Sequence, residues 1–139
     1  MAISVRALAG TAAALAVATV AGIGIVSTTT QEACAAPRGQ TSFAEDVLPI
    51  FRGRCVSCHS PGAEGAQKSG LDLTTYDGVM KGTKFGAMVV AKDPDSSNLM
   101  WLLDHRGKPE TWMPHGAKKL STCDRDAIRS WIREGAKNN

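Results

Sequence analysis

The stretch Cys55-Val56-Ser57-Cys58-His59 decides how the rest of this 139-residue chain is interpreted. Two cysteines three positions apart on a helical turn point the same way, so their sulfur atoms can reach the two vinyl groups along one porphyrin edge. A histidine directly after the second cysteine is carried over the porphyrin face, where its imidazole can bind iron. The stretch therefore predicts one covalently attached haem c, held by Cys55 and Cys58, with His59 as an axial ligand.

Two other uses of the cysteine pair fit the sequence less well. A structural zinc site needs a second pair of ligands, whereas Cys34 and Cys123 are isolated and His105 and His115 are far apart. A thioredoxin-like redox pair needs a βαβ setting, and the flanking segments have helical patterns instead. Haem attachment is therefore the preferred interpretation.

The segments around the stretch are predicted to be helical. Ser42 and Glu45 have the spacing of a capping box, and apolar side chains at helical spacing follow as far as Phe51, with a break expected at Pro49 because proline lacks a backbone N–H. Residues 61–70 are predicted to form a surface loop because they are rich in glycine, alanine and serine.

Three more segments complete the predicted fold. A helical turn is expected over residues 75–80, and a helix capped by residues 95–97 should end at residues 105–107. Residues 108–119 are predicted to be irregular. The last helix should begin at Ser121 or Thr122 and bury one apolar stripe, with arginines at positions 125, 129 and 133 in solvent. The domain is therefore predicted to be all-α.

The spacing alone leaves the second axial ligand of the iron open. The candidates downstream are Met80, Met88, Met100, Met113, His105 and His115. Met113 is favoured because it stands in an irregular loop and because Pro114 biases it toward an extended backbone, which projects the thioether out of the loop. His115 is the rival and would give a bis-histidine site. His105 is interpreted as a residue that complements the end of a helix.

Aromatic and basic residues give weaker predictions. Trp112 and Trp131 are interpreted as haem-pocket walls, although ordinary core packing explains them nearly as well. The net charge of +3 is too weak and scattered to indicate nucleic-acid binding. Lysines in the predicted loops are candidates for docking an acidic redox partner, at positions 81, 84, 108, 118 and 119.

The N-terminus has the layout of an export signal. Residues 7–26 carry no charged side chain and follow Arg6, and residues 33–35 have the small-residue spacing that a signal peptidase reads, which places the cut before Ala36. The alternative is an uncleaved membrane anchor through residues 7–26. The predicted organisation is a signal or anchor at 1–35, a short linker at 36–42 and a domain at 43–136, exported to the periplasm.

The chain resembles the planctomycete-type, class I-like cytochrome c domains. The matching residues run from Phe43 through the cysteine stretch to Ala136 and include Leu71, Leu73, Tyr76, Gly82, Asp93, Pro94, Ser97, Leu99, Met113, Pro114, Leu120, Ile128, Trp131, Ile132 and Gly135. The resemblance implies the cytochrome c fold, with N- and C-terminal helices packed around one haem, and implies Met113 as the distal ligand. Cys123 is not part of that pattern. A disulfide to Cys34 is a hypothesis if the N-terminus is retained in an oxidising compartment.

The predicted function is one-electron transfer between a redox protein donor and acceptor, by a protein that is not an enzyme. Either a soluble carrier or the electron-transfer subunit of a membrane redox complex fits the sequence. A haem enzyme or sensor with a labile distal ligand is the alternative, and His115 beside Met113 is the feature in its favour.

Overall fold

The first helical segment begins where the sequence predicts. The computed structural model of this chain describes Cys34 and residues 39–139. A π-helical turn, Phe43–Val47, leads into helix α1, Leu48–Arg54, which has Pro49 in its first turn. The Ser42 hydroxyl accepts a hydrogen bond from the Glu45 N–H at 3.2 Å, but the Ser42 N–H donates to the Asp46 carboxylate at 2.7 Å. The predicted capping box is therefore closed by Asp46 rather than Glu45.

The prediction of a loop over residues 61–70 is wrong in part. Helix α2, Glu64–Ser69, lies within that range and ends at Gly70, whose φ of +81° suits glycine. Two interactions stabilise this short helix, which contains Gly65. Lys68 pairs with Glu64 one turn earlier, and the Ala66 N–H donates to the Cys58 carbonyl at 3.0 Å.

The remaining helices follow the predicted order. They are α3, Tyr76–Lys81, capped by Thr75; α4, Asn98–Leu103, preceded by Ser97; a 3₁₀ turn, Pro109–Thr111; and α5, Thr122–Arg133, capped by Ser121. No strand occurs in the part of the chain that the structure describes, where the only β-type pairing is the isolated bridge between Thr83 and Gly86. The all-α prediction is confirmed.

The two ends of the domain pack together. Helix α5 contacts the π-helical turn and helix α4. The ring centroids of Phe43 and Trp131 are 5.3 Å apart, and Tyr76 lies edge-on to both rings. The Trp131 Nε1–H donates to the Lys137 carbonyl at 2.8 Å, and the Tyr76 hydroxyl donates to the Ala136 carbonyl at 2.9 Å. This aromatic cluster, Phe43, Tyr76 and Trp131, holds the N- and C-terminal elements together.

A disulfide joins Cys34 to Cys123, the second residue of α5. The pairing that the sequence left as a hypothesis is therefore present in this 139-residue chain. It requires Cys34 to remain on the chain, which a cut before Ala36 would prevent. The apolar segment at residues 7–26 and the predicted cleavage site lie outside the described residues. None of the described helices combines the length and apolar character needed to cross a bilayer.

Candidate functional site

A cavity of about 460 Å³ lies beside the cysteine stretch. Cys55, Cys58 and His59 line it, and so do Met113 and His115. The remaining wall is mostly apolar and is contributed by several helices and loops, at Phe51, Leu71, Leu73, Met88, Leu99, Leu102 and Leu103. An apolar cavity with a few convergent polar groups is the usual form of a cofactor site.

The side that carries the cysteines is fixed by backbone hydrogen bonds. After α1 ends, the N–H groups of Cys58 and His59 both donate to the Cys55 carbonyl, at 3.0 and 2.9 Å. The Leu73 N–H donates to the His59 carbonyl at 2.8 Å. These bonds form a tight turn that presents both cysteines and the histidine to one cavity.

Gly65 of helix α2 lies against the His59 ring. A β-carbon built on Gly65 would be 2.7 Å from the Cys58 carbonyl oxygen and 3.0 Å from His59 Cε1. Contacts that short do not occur without movement of the neighbouring atoms. Helix α2, which the sequence did not predict, therefore supports the histidine through a position where only glycine fits.

The His59 ring has the properties of a metal ligand. Its Nδ1 atom is buried and makes no hydrogen bond of good geometry to any of the described residues. Burial lowers the pKa of His59, and interaction with the Leu71 backbone opposes that shift only in part. The ring therefore tends to stay neutral, which is the form of imidazole that binds metals.

The Cys55 thiol lacks the lowered pKa of a reactive thiolate. Burial raises the pKa of the Cys55 thiol to about 11; the Arg54 charge opposes this shift and Cys58 adds to it. Within residues 39–139 and Cys34, no group of three or more histidine, cysteine or acidic side chains is arranged to hold a metal ion by itself. Both findings agree better with cysteines that bond to a prosthetic group than with a zinc site or a redox-active thiol pair.

The cavity narrows the choice of a second axial ligand. Three of the six candidates line it: Met88, Met113 and His115. The other three do not: Met80, Met100 and His105. Met100 is fully buried in the core, as its position among helix-face leucines predicts.

The backbone of Met113 is held on both sides. Its N–H donates to the Leu102 carbonyl at 3.2 Å, which folds the loop back onto the end of α4. Its carbonyl accepts a hydrogen bond from His105 Nε2 at 3.0 Å. The His105 ring stacks on Trp112, with centroids 4.7 Å apart and planes 7° from parallel. The sequence assigned His105 only to the helix end, because nothing in a single sequence indicates a contact eight residues away through a loop.

The two tryptophans predicted as haem-pocket walls lie elsewhere in the described structure. Trp131 is 1% exposed and belongs to the aromatic cluster. Trp112 is half-buried and stacks on His105 rather than lining the cavity. The physical reason is that α5 turns its apolar stripe toward Phe43, while the loop turns the Trp112 ring away from the apolar wall. The apolar wall is made by leucines instead.

An ion-pair cluster beside the Met113 loop was also missed. Asp104, at the end of α4, accepts hydrogen bonds from Arg125 at 2.9 Å, from Arg129 at 2.9 Å and from Arg106 at 3.1 Å. Lys119, which follows the loop, donates to the Asp104 carbonyl at 2.7 Å. The sequence placed Arg125 and Arg129 in solvent because their shared partner lies more than twenty residues earlier in the chain.

One large apolar ring remains at the cavity rim. Phe85 lines the cavity and is 81% exposed, on the turn closed by the Thr83–Gly86 bridge. The Lys84 ammonium group lies 5.1 Å from the centre of its ring. The rim therefore combines an apolar surface with a positive charge.

The comparisons with known proteins agree with this geometry. Residues 55–115 match the model of the family described as Planctomycete cytochrome C, from the first cysteine of the pair to His115. No curated protein matches the chain, and no solved structure matches it. The matched segment and the helical fold support a planctomycete-type cytochrome c domain in this chain, and that family suggests a haem-binding, electron-transfer role.

Proposed function

We propose that this protein is a monohaem c-type cytochrome that carries single electrons between a donor and an acceptor protein. In this proposal Cys55 and Cys58 bond to the haem, and His59 and Met113 bind the iron. The observation that supports it is an apolar cavity of about 460 Å³ that all four residues line. They lie up to 58 positions apart in the sequence, so their convergence is a property of the fold.

Each part of the site has a separate task. The two thiols form thioether bonds that keep the group from dissociating, while the neutral His59 ring binds from the side that α2 supports. Leucines from α4 and from residues 71–73 exclude water. A haem supplies a one-electron Fe(III)/Fe(II) couple when bound. With protein ligands on both axial positions, the chain leaves no open coordination site for a substrate, which supports outer-sphere transfer.

Met113 is the preferred distal ligand among the three that line the cavity. Its backbone is fixed on both sides, at 3.2 and 3.0 Å, so its position costs little further ordering. His115 is an exposed residue. Met88 is buried beside Val89 in the core, and its carbonyl accepts a hydrogen bond from the Leu99 N–H at 2.9 Å.

Optical spectra of both oxidation states test the ligand assignment. The variants are Met113→Ala, Met88→Leu and His115→Ala. We expect the far-red band from sulfur-to-iron charge transfer to disappear in Met113→Ala and to persist in the other two. Persistence of the band in Met113→Ala together with its loss in Met88→Leu would move the ligand to Met88. A wild-type spectrum without this band that changes only in His115→Ala would indicate a bis-histidine site.

A haem enzyme or sensor with a labile distal ligand is the second candidate. The observation in its favour is that the exposed His115 lines the same cavity beside Met113. Carbon monoxide distinguishes the two, because it binds ferrous haem only when an axial position opens. The electron-carrier proposal predicts little binding by the wild-type protein and ready binding by Met113→Ala. Ready binding by the wild-type protein would favour the sensor or enzyme.

Export to an oxidising compartment is part of the proposal. The Cys34–Cys123 disulfide supports it, because such bonds persist in the periplasm and are rare in the cytosol. The soluble carrier and the membrane-complex subunit differ in the fate of residues 1–35. N-terminal sequencing of the native protein distinguishes them. An intact N-terminus favours the anchored subunit, whereas an N-terminus at Ala36 favours the free carrier and would remove Cys34, and with it the disulfide.

Docking of an acidic redox partner at the cavity rim completes the proposal. Lys84, one of the predicted docking lysines, lies over the exposed Phe85 ring on that rim. If this surface guides the encounter, reduction by an acidic partner slows steeply as salt is raised. A flat salt response would contradict docking by charge.

A further inference from the structure

We infer that His105 is a positioning residue for Met113: its hydrogen bond to the Met113 carbonyl keeps the loop closed and so keeps the thioether at the cavity. This inference rests on the proposed function, because it takes Met113 to be the distal ligand. It adds a role for a histidine that does not itself line the cavity. Three features of the molecule support this role: the hydrogen bond, the stacked ring and the path of the loop between them.

The hydrogen bond defines which nitrogen of His105 carries the proton. A backbone carbonyl can only accept, so Nε2 of His105 donates to the Met113 oxygen at 3.0 Å. The bond is partly buried, which reduces competition from water. Its acceptor belongs to the residue whose side chain is proposed to bind the iron. Loss of the bond therefore acts on the ligand through its own backbone.

Trp112 holds the His105 ring in the orientation that the bond requires. The two rings are stacked 4.7 Å apart and nearly parallel. The Trp112 Nε1–H donates to the Gly107 carbonyl at 3.3 Å, so the indole is fixed to the loop on which His105 stands. The stack thus gives Trp112 a task that the sequence did not indicate.

The loop is closed at its base as well. The N–H groups of His105 and Met113 both donate to the Leu102 carbonyl, each at 3.2 Å. His105 has a φ of +58°, a left-handed conformation in which histidine is several-fold commoner than most residues. This conformation turns the chain at the end of α4 and lets the ring reach back to Met113. Among the residues that the structure describes, the His105 side chain alone donates a hydrogen bond to the Met113 carbonyl.

Two variants separate the hydrogen bond from the stack. His105→Phe keeps a ring for Trp112 and removes the donor, whereas His105→Gln keeps a donor and removes the ring. Both substitutions place a new side chain on a residue whose backbone is left-handed. Any conformational free energy lost there is therefore shared by the two variants. Trp101→Phe is the matched control, because Trp101 is a largely exposed aromatic residue of α4 that does not line the cavity.

The measurement is imidazole binding to the ferric holoprotein, which requires displacement of the distal ligand. One lost hydrogen bond makes the open loop more populated, so we expect imidazole to bind about fivefold more tightly to His105→Phe. His105→Gln and Trp101→Phe should stay within about twofold of the wild type, since both retain a donor to Met113. Hydrogen exchange at the Met113 N–H should accelerate in His105→Phe without a general loss of protection.

The outcomes distinguish this inference from the proposed function. If Met113→Ala binds imidazole no more tightly than the wild type, Met113 is not the ligand and the proposed assignment fails. If Met113→Ala binds much more tightly but His105→Phe matches the wild type, the assignment stands and the positioning role fails. If imidazole bound equally more tightly to His105→Phe and His105→Gln, the positioning role would also fail, because the hydrogen-bond donor would then make no difference.

Discussion

The two sides of this domain bury their apolar residues differently. On one side, Phe43, Tyr76 and Trp131 pack directly against one another, and the polar atoms of Tyr76 and Trp131 find backbone partners near the C-terminus. On the other side, leucines of the same hydrophobic core line a cavity of about 460 Å³. Direct side-chain packing therefore holds the helices together on one side of the domain. On the other side, the packing leaves room for a prosthetic group.

This difference predicts which substitutions affect stability and which affect the cofactor. Changes in the aromatic cluster should lower the free energy of unfolding and leave the haem spectrum alone. Changes at the turn and loop that line the cavity should alter the spectrum more than the stability. The three substitutions below test that separation, from the largest expected effect on stability to the smallest.

Trp131→Ala should have the largest effect. The side chain is 1% exposed, and its removal leaves a hole between the N- and C-terminal elements, which should cost about 4 kcal/mol of unfolding free energy. Denaturant unfolding of the holoprotein measures the loss. Trp101→Ala is the control, because that ring is 45% exposed and should cost about 1 kcal/mol or less. Equal losses in the two variants would contradict the assignment of Trp131 to the core.

Asp104→Asn should have an intermediate effect that depends on pH. Burial opposes ionisation of Asp104, but hydrogen bonds from Arg125 and Arg106 and the charge of Arg129 outweigh it and lower the pKa of the carboxyl group. A group with a lowered folded-state pKa stabilises the fold above its unfolded value of about 3.9, and that contribution disappears as the pH falls through the folded pKa.

We therefore expect Asp104→Asn to lower the unfolding free energy by about 2 kcal/mol at pH 7, with a smaller difference from the wild type at acidic pH. Urea unfolding at several pH values measures this dependence. The control is Asp95→Asn, since Asp95 also pairs with Arg106 but at 3.7 Å and with 86% of its side chain exposed. If the difference in unfolding free energy between the wild type and Asp104→Asn grew as the pH fell, the ionised Asp104 side chain would not be the stabilising group.

Gly65→Ala should change the haem site more than the stability. The new methyl group would lie 2.7 Å from the Cys58 carbonyl oxygen, so the backbone beside His59 must shift, and 3.0 Å from the His59 ring, which is a tight contact. We expect a shifted reduction potential and an altered Soret band, with a loss of about 1 kcal/mol or less in unfolding free energy. Gly53→Ala is the matched control, because a β-carbon on that helical glycine meets nothing within 4 Å. Identical spectra and potentials in the two variants would show that α2 does not position His59.

The helical frame and the cysteine side of the site were predictable because their signals are local. The spacing of Cys55, Cys58 and His59, the caps at Ser42 and Ser121, and the apolar stripe of α5 all lie within one or two helical turns. Helix α2 was missed for a different reason. The glycines at positions 62, 65 and 70 indicated a loop, although glutamate, alanine, glutamine and lysine within the helix favour helical structure. The helix is also stabilised by contact with the turn at Cys58.

The loop side was harder to predict because its contacts join distant parts of the chain. Asp104 meets Arg125 and Arg129 across more than twenty residues, and no periodic pattern marks such a pair. His105 reaches Met113 only because the chain turns through a left-handed residue at the end of α4. The roles of Trp112 and Trp131 were uncertain for the same reason, since composition does not indicate the direction in which a ring points.

Peptide mass mapping of the purified protein tests the central claim most directly. The protein should be produced in a host that matures c-type cytochromes, denatured, and digested without prior haem extraction. We predict one haem on the peptide that contains Cys55 and Cys58, resistant to acidified acetone and absent when both cysteines are replaced by serine. Recovery of that peptide from the wild-type protein with two unmodified thiols and no attached haem would contradict the account.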